Sequence, residues 1–199
     1  MDGLRAAGFA EGPANTHPGQ GTACRRVFFE NAYLELIWLE DPAEARAPGV
    51  RGTGLAARAG LEAGASRLGI AFRPGEPTGP AEPPIRTWRY RPPYLPDGLA
   101  IRVAVSATRW AEPLLFFLPW ERRWSATRVP HPNGARAVSR VAMTLTDPAP
   151  SSPELRWLRE REDLAVVAGP TERIEIELDA GARGHSLDLS PAAPLALRW

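Results

Sequence analysis

The segment Tyr33-Leu34-Glu35-Leu36-Ile37-Trp38-Leu39 carries one charge, and its remaining residues are apolar on both alternating faces. A strand with this pattern predicts a central position covered on both sides, since either face would be costly to leave wet. Residues 22–29 read as the strand before it, and Glu30-Asn31 reads as a two-residue turn between the two. In such a hairpin Phe29 faces Ala32 and Arg26 faces Glu35. A carboxylate inside a covered strand needs a partner, because burying it alone is unfavourable. An ion pair with Arg26 is one solution. Contact with a ligand, as acid or base, and ligation of a metal are the other two.

The rest of the chain offers further short elements. Residues 1–9 read as the last turns of a helix that stops at Gly8, followed by a Gly- and Pro-rich loop over residues 10–21. A helix is predicted around residues 54–62 and a strand over residues 68–72. Residues 74–96 hold too many prolines for a long regular element, but contain the basic and aromatic piece Arg86-Thr87-Trp88-Arg89-Tyr90-Arg91. Strands follow at 99–105, 114–118 and 138–145. A helix opens at Ser151-Ser152-Pro153-Glu154, with Ser151 and Glu154 at capping-box spacing, and runs toward Gly169. Residues 173–178 alternate Ile174, Ile176 and Leu178 against Arg173, Glu175 and Glu177, which predicts one wet face. Two short strands, 185–189 and 195–199, close the chain. The order β-α-β-β-β is readable over 138–199 and, more loosely, over 68–118.

Composition excludes several functions. The chain has 199 residues and a net charge of +1, so neither nucleic acid nor an anionic membrane is an expected partner. All 24 basic residues are Arg, which removes Schiff-base and P-loop lysine chemistry and reads as the codon bias of a GC-rich bacterial genome. Cys24 is the single cysteine, so no intrachain disulfide forms. No apolar run has the length of a membrane span, and the first nine residues lack the apolar stretch of a signal peptide. A cytoplasmic location is the expectation.

The repeated strand and helix order goes with specific motifs. His17-Pro18-Gly19-Gln20-Gly21-Thr22-Ala23, then Asn31 to Ile37 and Asp41-Pro42, resemble the opening of the glyoxalase-like branch of the vicinal-oxygen-chelate superfamily. Pro96-Asp97-Gly98, Glu112-Pro113-Leu114-Leu115-Phe116-Phe117 and His131-Pro132-Asn133-Gly134 are similar to its middle. The resemblance implies an α+β fold of repeated β-α-β-β-β units with curved mixed sheets. It divides the chain into a glyoxalase-like domain over 1–130 and an additional unit over 131–199 packed on it. It also implies that the first unit lacks its first strand, because the chain opens inside the following helix.

In that superfamily a divalent metal is typically held by a His on a unit's first strand and a Glu on its last. Glu35 stands at the position similar to that Glu. Gly69 and Arg140 stand where the resemblance would place the other units' first-strand ligands, and the strands at 114–118 and 195–199 carry no carboxylate. The expectation is therefore no metal ligands and no cofactor; a divalent metal is expected only if the missing first strand exists.

The candidate ligand-binding residues are His17, Gln20, Glu35, Arg86 and Trp88, with Glu35 as the candidate catalytic group. For His17 and Gln20, a polar lid over a pocket stands against a turn that merely caps the preceding helix. For Arg86 and Trp88, a loop lining a pocket stands against Arg stems packed over aromatic surface. Cys24 reads as a small core side chain. Two functions stay open: a metal-free protein that binds a small organic molecule, and a metal-dependent lyase, isomerase or dioxygenase using Glu35. An uncovered sheet edge in the first unit is expected to be closed by homodimerisation or by the C-terminal unit.

Overall fold

A computed structural model describes residues 1–60, 62–73, 83–118, 129–146 and 150–199. It contains three sheets, here A, B and C, and short helices. Sheet A is antiparallel: β1 (Asn15–His17), β2 (Thr22–Phe28) and β3 (Tyr33–Leu39), in that order. Helix α1 (Asp2–Ala6) precedes it. The hairpin register is the expected one, with Arg26 opposite Glu35 and the Phe29 amide donating to the Ala32 carbonyl at 2.8 Å. Two expectations change. The loop at 10–21 contains the strand β1, and β3 ends the sheet's strand order instead of lying at its centre. Ile37 and Trp38 on β3 are exposed, so the apolar run is covered only over part of its length.

Helix α2 (Pro42–Ala45) starts at Asp41, whose carboxylate accepts from the Ala43 and Glu44 amides. Helix α3 (Leu55–Ala59) leads into sheet B. Sheet B comprises β4 (Gly69–Phe72), β5 (Thr87–Tyr90), β6 (Ile101–Ala104) and β7 (Leu114–Phe117), in the order β4-β7-β6-β5. β4 runs parallel to β7, and the other neighbours are antiparallel. A unit whose first strand pairs with its last gives this order. Part of the Pro-rich stretch, residues 74–82, lies outside the described residues. The basic and aromatic piece expected as a loop forms β5, paired with β6 through Trp88 and Val103.

Sheet C holds β8 (Val138–Leu145), β9 (Leu164–Ala168), β10 (Arg173–Leu178), β11 (Ser186–Asp188) and β12 (Leu195–Arg198), in the order β11-β12-β10-β8-β9. Helix α4 (Pro153–Arg159) is shorter than the sequence suggests. After it the chain turns into β9, which pairs parallel to β8. Leu-Ala-Val-Val-Ala has no polar alternation, so its periodicity does not separate strand from helix end.

Sheet C joins the other two. Ile176, Leu178, Leu195 and Leu197 pack with Leu4, Phe9, Val27 and Phe29 of the first unit. Met143 and Leu145 pack with Leu68 just before β4, with Ala104 and Leu115 of sheet B and with Leu155 and Leu158 of α4. In register Ile174 faces Met143 and Ile176 faces Val141, so one face of sheet C serves both contacts. The opposite face carries Arg173, Glu175 and Glu177, as the alternation predicts.

Two buried charged groups tie down the loops. Arg58, 5% exposed, donates to the carbonyls of Ser66, Ala107, Trp110 and Glu112. Burial lowers its pKa to about 10, and the fork of donors matches the curved carbonyl chain. Glu112, 1% exposed, accepts from the Ser152 amide at 2.8 Å and hydroxyl at 2.5 Å, and from Arg109 at 2.8 Å. Ser152, not Ser151, is the N-cap of α4, accepting from the Leu155 amide at 3.0 Å. A Glu112→Ala change leaves these donors without their acceptor. It is expected to destabilise the chain by about 2–4 kcal/mol, read from urea unfolding with an unchanged m-value.

Candidate functional site

The period of two along a strand decides which side chains of sheet A meet. Leu34, Leu36 and Val27 turn toward the core shared with sheet C. The other face collects Asn15 and His17 from β1, Thr22, Cys24 and Arg26 from β2, and Glu35 and Ile37 from β3. Cys24 sits beside Asn15 on one side and Ile37 on the other, which makes Glu35 its diagonal neighbour. An imidazole nitrogen of His17, the Cys24 sulfur and a Glu35 carboxylate oxygen all lie within 4.8 Å of one another. The second unit covers this face: the His17 ring stacks obliquely on Tyr94 at 5.0 Å, and the Arg73 guanidinium lies 5.5 Å from the centre of the Tyr33 ring.

A chain of hydrogen bonds sets these groups. The Tyr90 and Tyr94 hydroxyls both donate to Gln20 Oε1, at 3.0 and 3.1 Å. That assigns the carboxamide, whose nitrogen donates to Thr22 Oγ1 at 2.7 Å. His17 Nδ1 meets the same hydroxyl at 2.9 Å, and Nε2 meets the Asn15 amide nitrogen at 3.1 Å. With Asn15 donating to Nε2, the ring carries its proton on Nδ1 and donates it to Thr22. The turn between β1 and β2 makes this possible. Gly21 has φ +73°, and a Cβ there would lie 2.1 Å from the Asp41 carbonyl oxygen, so no other residue fits.

Glu35 is the charge that its neighbours feel. Burial lowers the His17 pKa below 6.5, and Glu35 opposes the shift while Arg26 adds to it. Burial first, then the Glu35 charge and a hydrogen bond to it, push the Cys24 thiol up to about 12. Tyr33 is raised to about 12, by burial and then by Glu35, and Tyr94 is raised by burial with smaller contributions from Tyr90 and Glu35. The expected Arg26–Glu35 ion pair is not among those formed by the described residues. Arg26 keeps the register but donates to the Pro13 carbonyl at 3.2 Å and lies 5.3 Å from the centre of the Phe28 ring.

The five residues singled out in the sequence divide. His17, Gln20 and Glu35 come together on one face, and His17 and Gln20 are buried parts of a tight turn instead of a lid or an exposed cap. Trp88 is half-buried and packs against the core of sheet B with Leu55 and Ile101, and its ring meets the edge of Tyr90 5.7 Å away. Arg86 is exposed, and its carbonyl accepts from the Val105 amide. Sequence reasoning missed Cys24, Thr22, Asn15, Tyr90 and Tyr94. The hairpin register that paired Arg26 with Glu35 already placed Cys24 on the same face, two residues along. Nothing local signals Tyr94, which reaches Gln20 from 74 positions away.

Two measurements check these assignments. The folded state resists protonating His17, so below its ordinary value the unfolded chain binds a proton that the folded chain refuses. Melting temperature is expected to fall as pH drops from about 7.5 to about 5, with His17→Gln removing that part of the slope. In the native protein at about pH 8, Cys24 is expected to alkylate at least ~100-fold more slowly than in denaturant, read by mass spectrometry.

The profile of the Glyoxalase-like domain family matches residues 1–159 of the 199. No curated protein and no solved structure matches the chain. The matched span includes sheet A with its polar face, sheet B, and the chain through α4. The mixed sheets and few helices agree with the α+β fold of that family. The chain belongs to the Glyoxalase-like domain family, within the vicinal-oxygen-chelate superfamily.

Proposed function

We propose that this chain binds a small organic molecule on the polar face of sheet A, beneath the aromatic side chains of the second unit, with Glu35 as the group that meets it. The observation behind this reading is the convergence of imidazole, thiol and carboxylate on one face within 4.8 Å. Tyr33, Tyr90 and Tyr94 surround that convergence with aromatic surface, and a few convergent polar groups set among such surface are the usual make-up of a small-molecule site. The Glu35 carboxylate is not taken up by Arg26, so it is placed to accept a ligand hydroxyl or an acidic C–H proton. His17 is held neutral by burial and fixed at both ring nitrogens. Ile37, on the same face as Glu35, is 37% exposed, so that end of the face reaches solvent.

The superfamily often uses a divalent metal, and the donor set here fits one. His17, Cys24 and Glu35 would hold it, and when bound it would polarise a ligand oxygen as a Lewis acid. That fit supports the second reading, a lyase, isomerase or dioxygenase, with Glu35 as ligand and the tyrosines walling the reacting molecule from water. Residues 1–130 form the glyoxalase-like domain in this proposal, and 131–199 the additional unit. None of the described helices is long and apolar enough to cross a membrane. The single cysteine supports placement in the bacterial cytoplasm, and the end of sheet A at β3 supports a homodimer.

A thermal-shift screen of small organic anions and neutral hydroxy-carbonyl compounds tests the reading. A ligand at about 100 times its Kd is expected to add about 2.7 kcal/mol of stability, lost in Glu35→Gln and kept in Arg86→Ala. A shift kept in Glu35→Gln and lost in Arg86→Ala would move the site to β5.

A further inference from the structure

We infer that His17, Cys24 and Glu35 form a site for a thiophilic divalent cation of the zinc class, with a fourth coordination position open to a ligand. The inference rests on the proposed use of the polar face of sheet A and adds the identity of the ion. Two of the three donors, His17 and Cys24, lie away from the first-strand His that the family resemblance assigns to metal binding.

The three donors come from three adjacent strands, one from each of β1, β2 and β3, so the backbone ladder of sheet A sets their spacing. Their donor atoms already lie within 4.8 Å of one another, a separation that small side-chain movements close around one ion.

The shell behind the imidazole is also in place. A metal-bound His needs its second ring nitrogen held by a hydrogen-bond partner. Thr22 holds Nδ1, Gln20 holds Thr22, and Tyr90 and Tyr94 hold Gln20. Nε2 is then the donor to the ion. It points to Asn15, whose partner across the strands is Cys24, so exchanging one contact with Asn15 turns it to the site.

The choice of ion follows from the donors. Thiolate with imidazole favours Zn²⁺ and Co²⁺ over the oxygen-seeking Mg²⁺ and Ca²⁺. Thiolate and carboxylate together match the charge of a divalent ion. Binding replaces the Cys24 S–H bond with a sulfur–metal bond and releases the proton to solvent, with no change of oxidation state. Three protein ligands leave a fourth position for water or a substrate oxygen, the pattern of a catalytic zinc and not of a closed structural one.

Titration of the chelator-stripped full chain with Co²⁺ tests the inference. Cys24 is the only cysteine, so a thiolate-to-cobalt charge-transfer band can arise from no other residue. The expected result is a band that saturates at one equivalent, bleaches on adding Zn²⁺ and is absent in Cys24→Ser. His17→Gln and Glu35→Gln are each expected to weaken Co²⁺ binding at least tenfold, with unchanged far-UV circular dichroism as the check on folding. Zn²⁺ should raise the melting temperature and Mg²⁺ should not. Absence of the band, or equal stabilisation by Mg²⁺ and Zn²⁺, overturns the cation site. If the band is absent while an organic ligand still binds through Glu35, only the cation inference falls. If neither appears, the reading of the polar face falls with it.

Discussion

The carboxamide of Gln20 is the point on which the site depends. Its oxygen takes two tyrosine hydroxyls from the second unit, and its nitrogen reaches the threonine that fixes His17 in the first. A side chain that both accepts and donates can join two such sets in one residue; a carboxylate could not donate and a lysine could not accept. Because Gln20 is 4% exposed, every one of these bonds replaces water that the folded chain excludes. The network thus holds the second unit over sheet A and fixes the imidazole in the same geometry.

The rest of the fold keeps that geometry rigid from behind. Sheet C presents one apolar face to both sheet A and sheet B, so the two halves that frame the site rest on one common support. Arg58 gathers the carbonyls of the loop after β6, and Glu112 carries the N-terminus of α4 into the same corner. Each is a buried charge held by fixed dipoles or by hydrogen bonds, and such arrangements lose much more when one partner is removed than they add when whole.

Much of this was legible in the sequence, and the limits have physical causes. The hairpin register followed from a two-residue turn and the alternation of β2 and β3, and it put Arg26 opposite Glu35. It did not say where the Arg26 head would go, because a long side chain can turn to any acceptor within reach, and Pro13 offered one. Strand β1 is three residues set between glycines and prolines, too short for a period to show. Cys24 was on the right face by simple counting. A buried thiol is usually only core, and the imidazole that gives it company arrives from β1. His131 is buried against Phe9 and Phe29 and accepts from the Ala10 amide, contacts that the local stretch His131-Pro132-Asn133-Gly134 does not record.

Local chemistry therefore determined nine of the twelve strands, all but β1, β5 and β9, together with the wet face of β10 and the place of Glu35 on β3. These depend on alternation and on backbone angles, which neighbours in sequence control. Only the tertiary structure decided what Glu35 meets. The edge position of β3, the approach of Tyr90 and Tyr94 from 70 and 74 residues beyond Gln20, and the packing of Trp88 against the core of sheet B all come from how the sheets stack. Stacking depends on the summed burial of many side chains, and no short stretch of sequence records that sum.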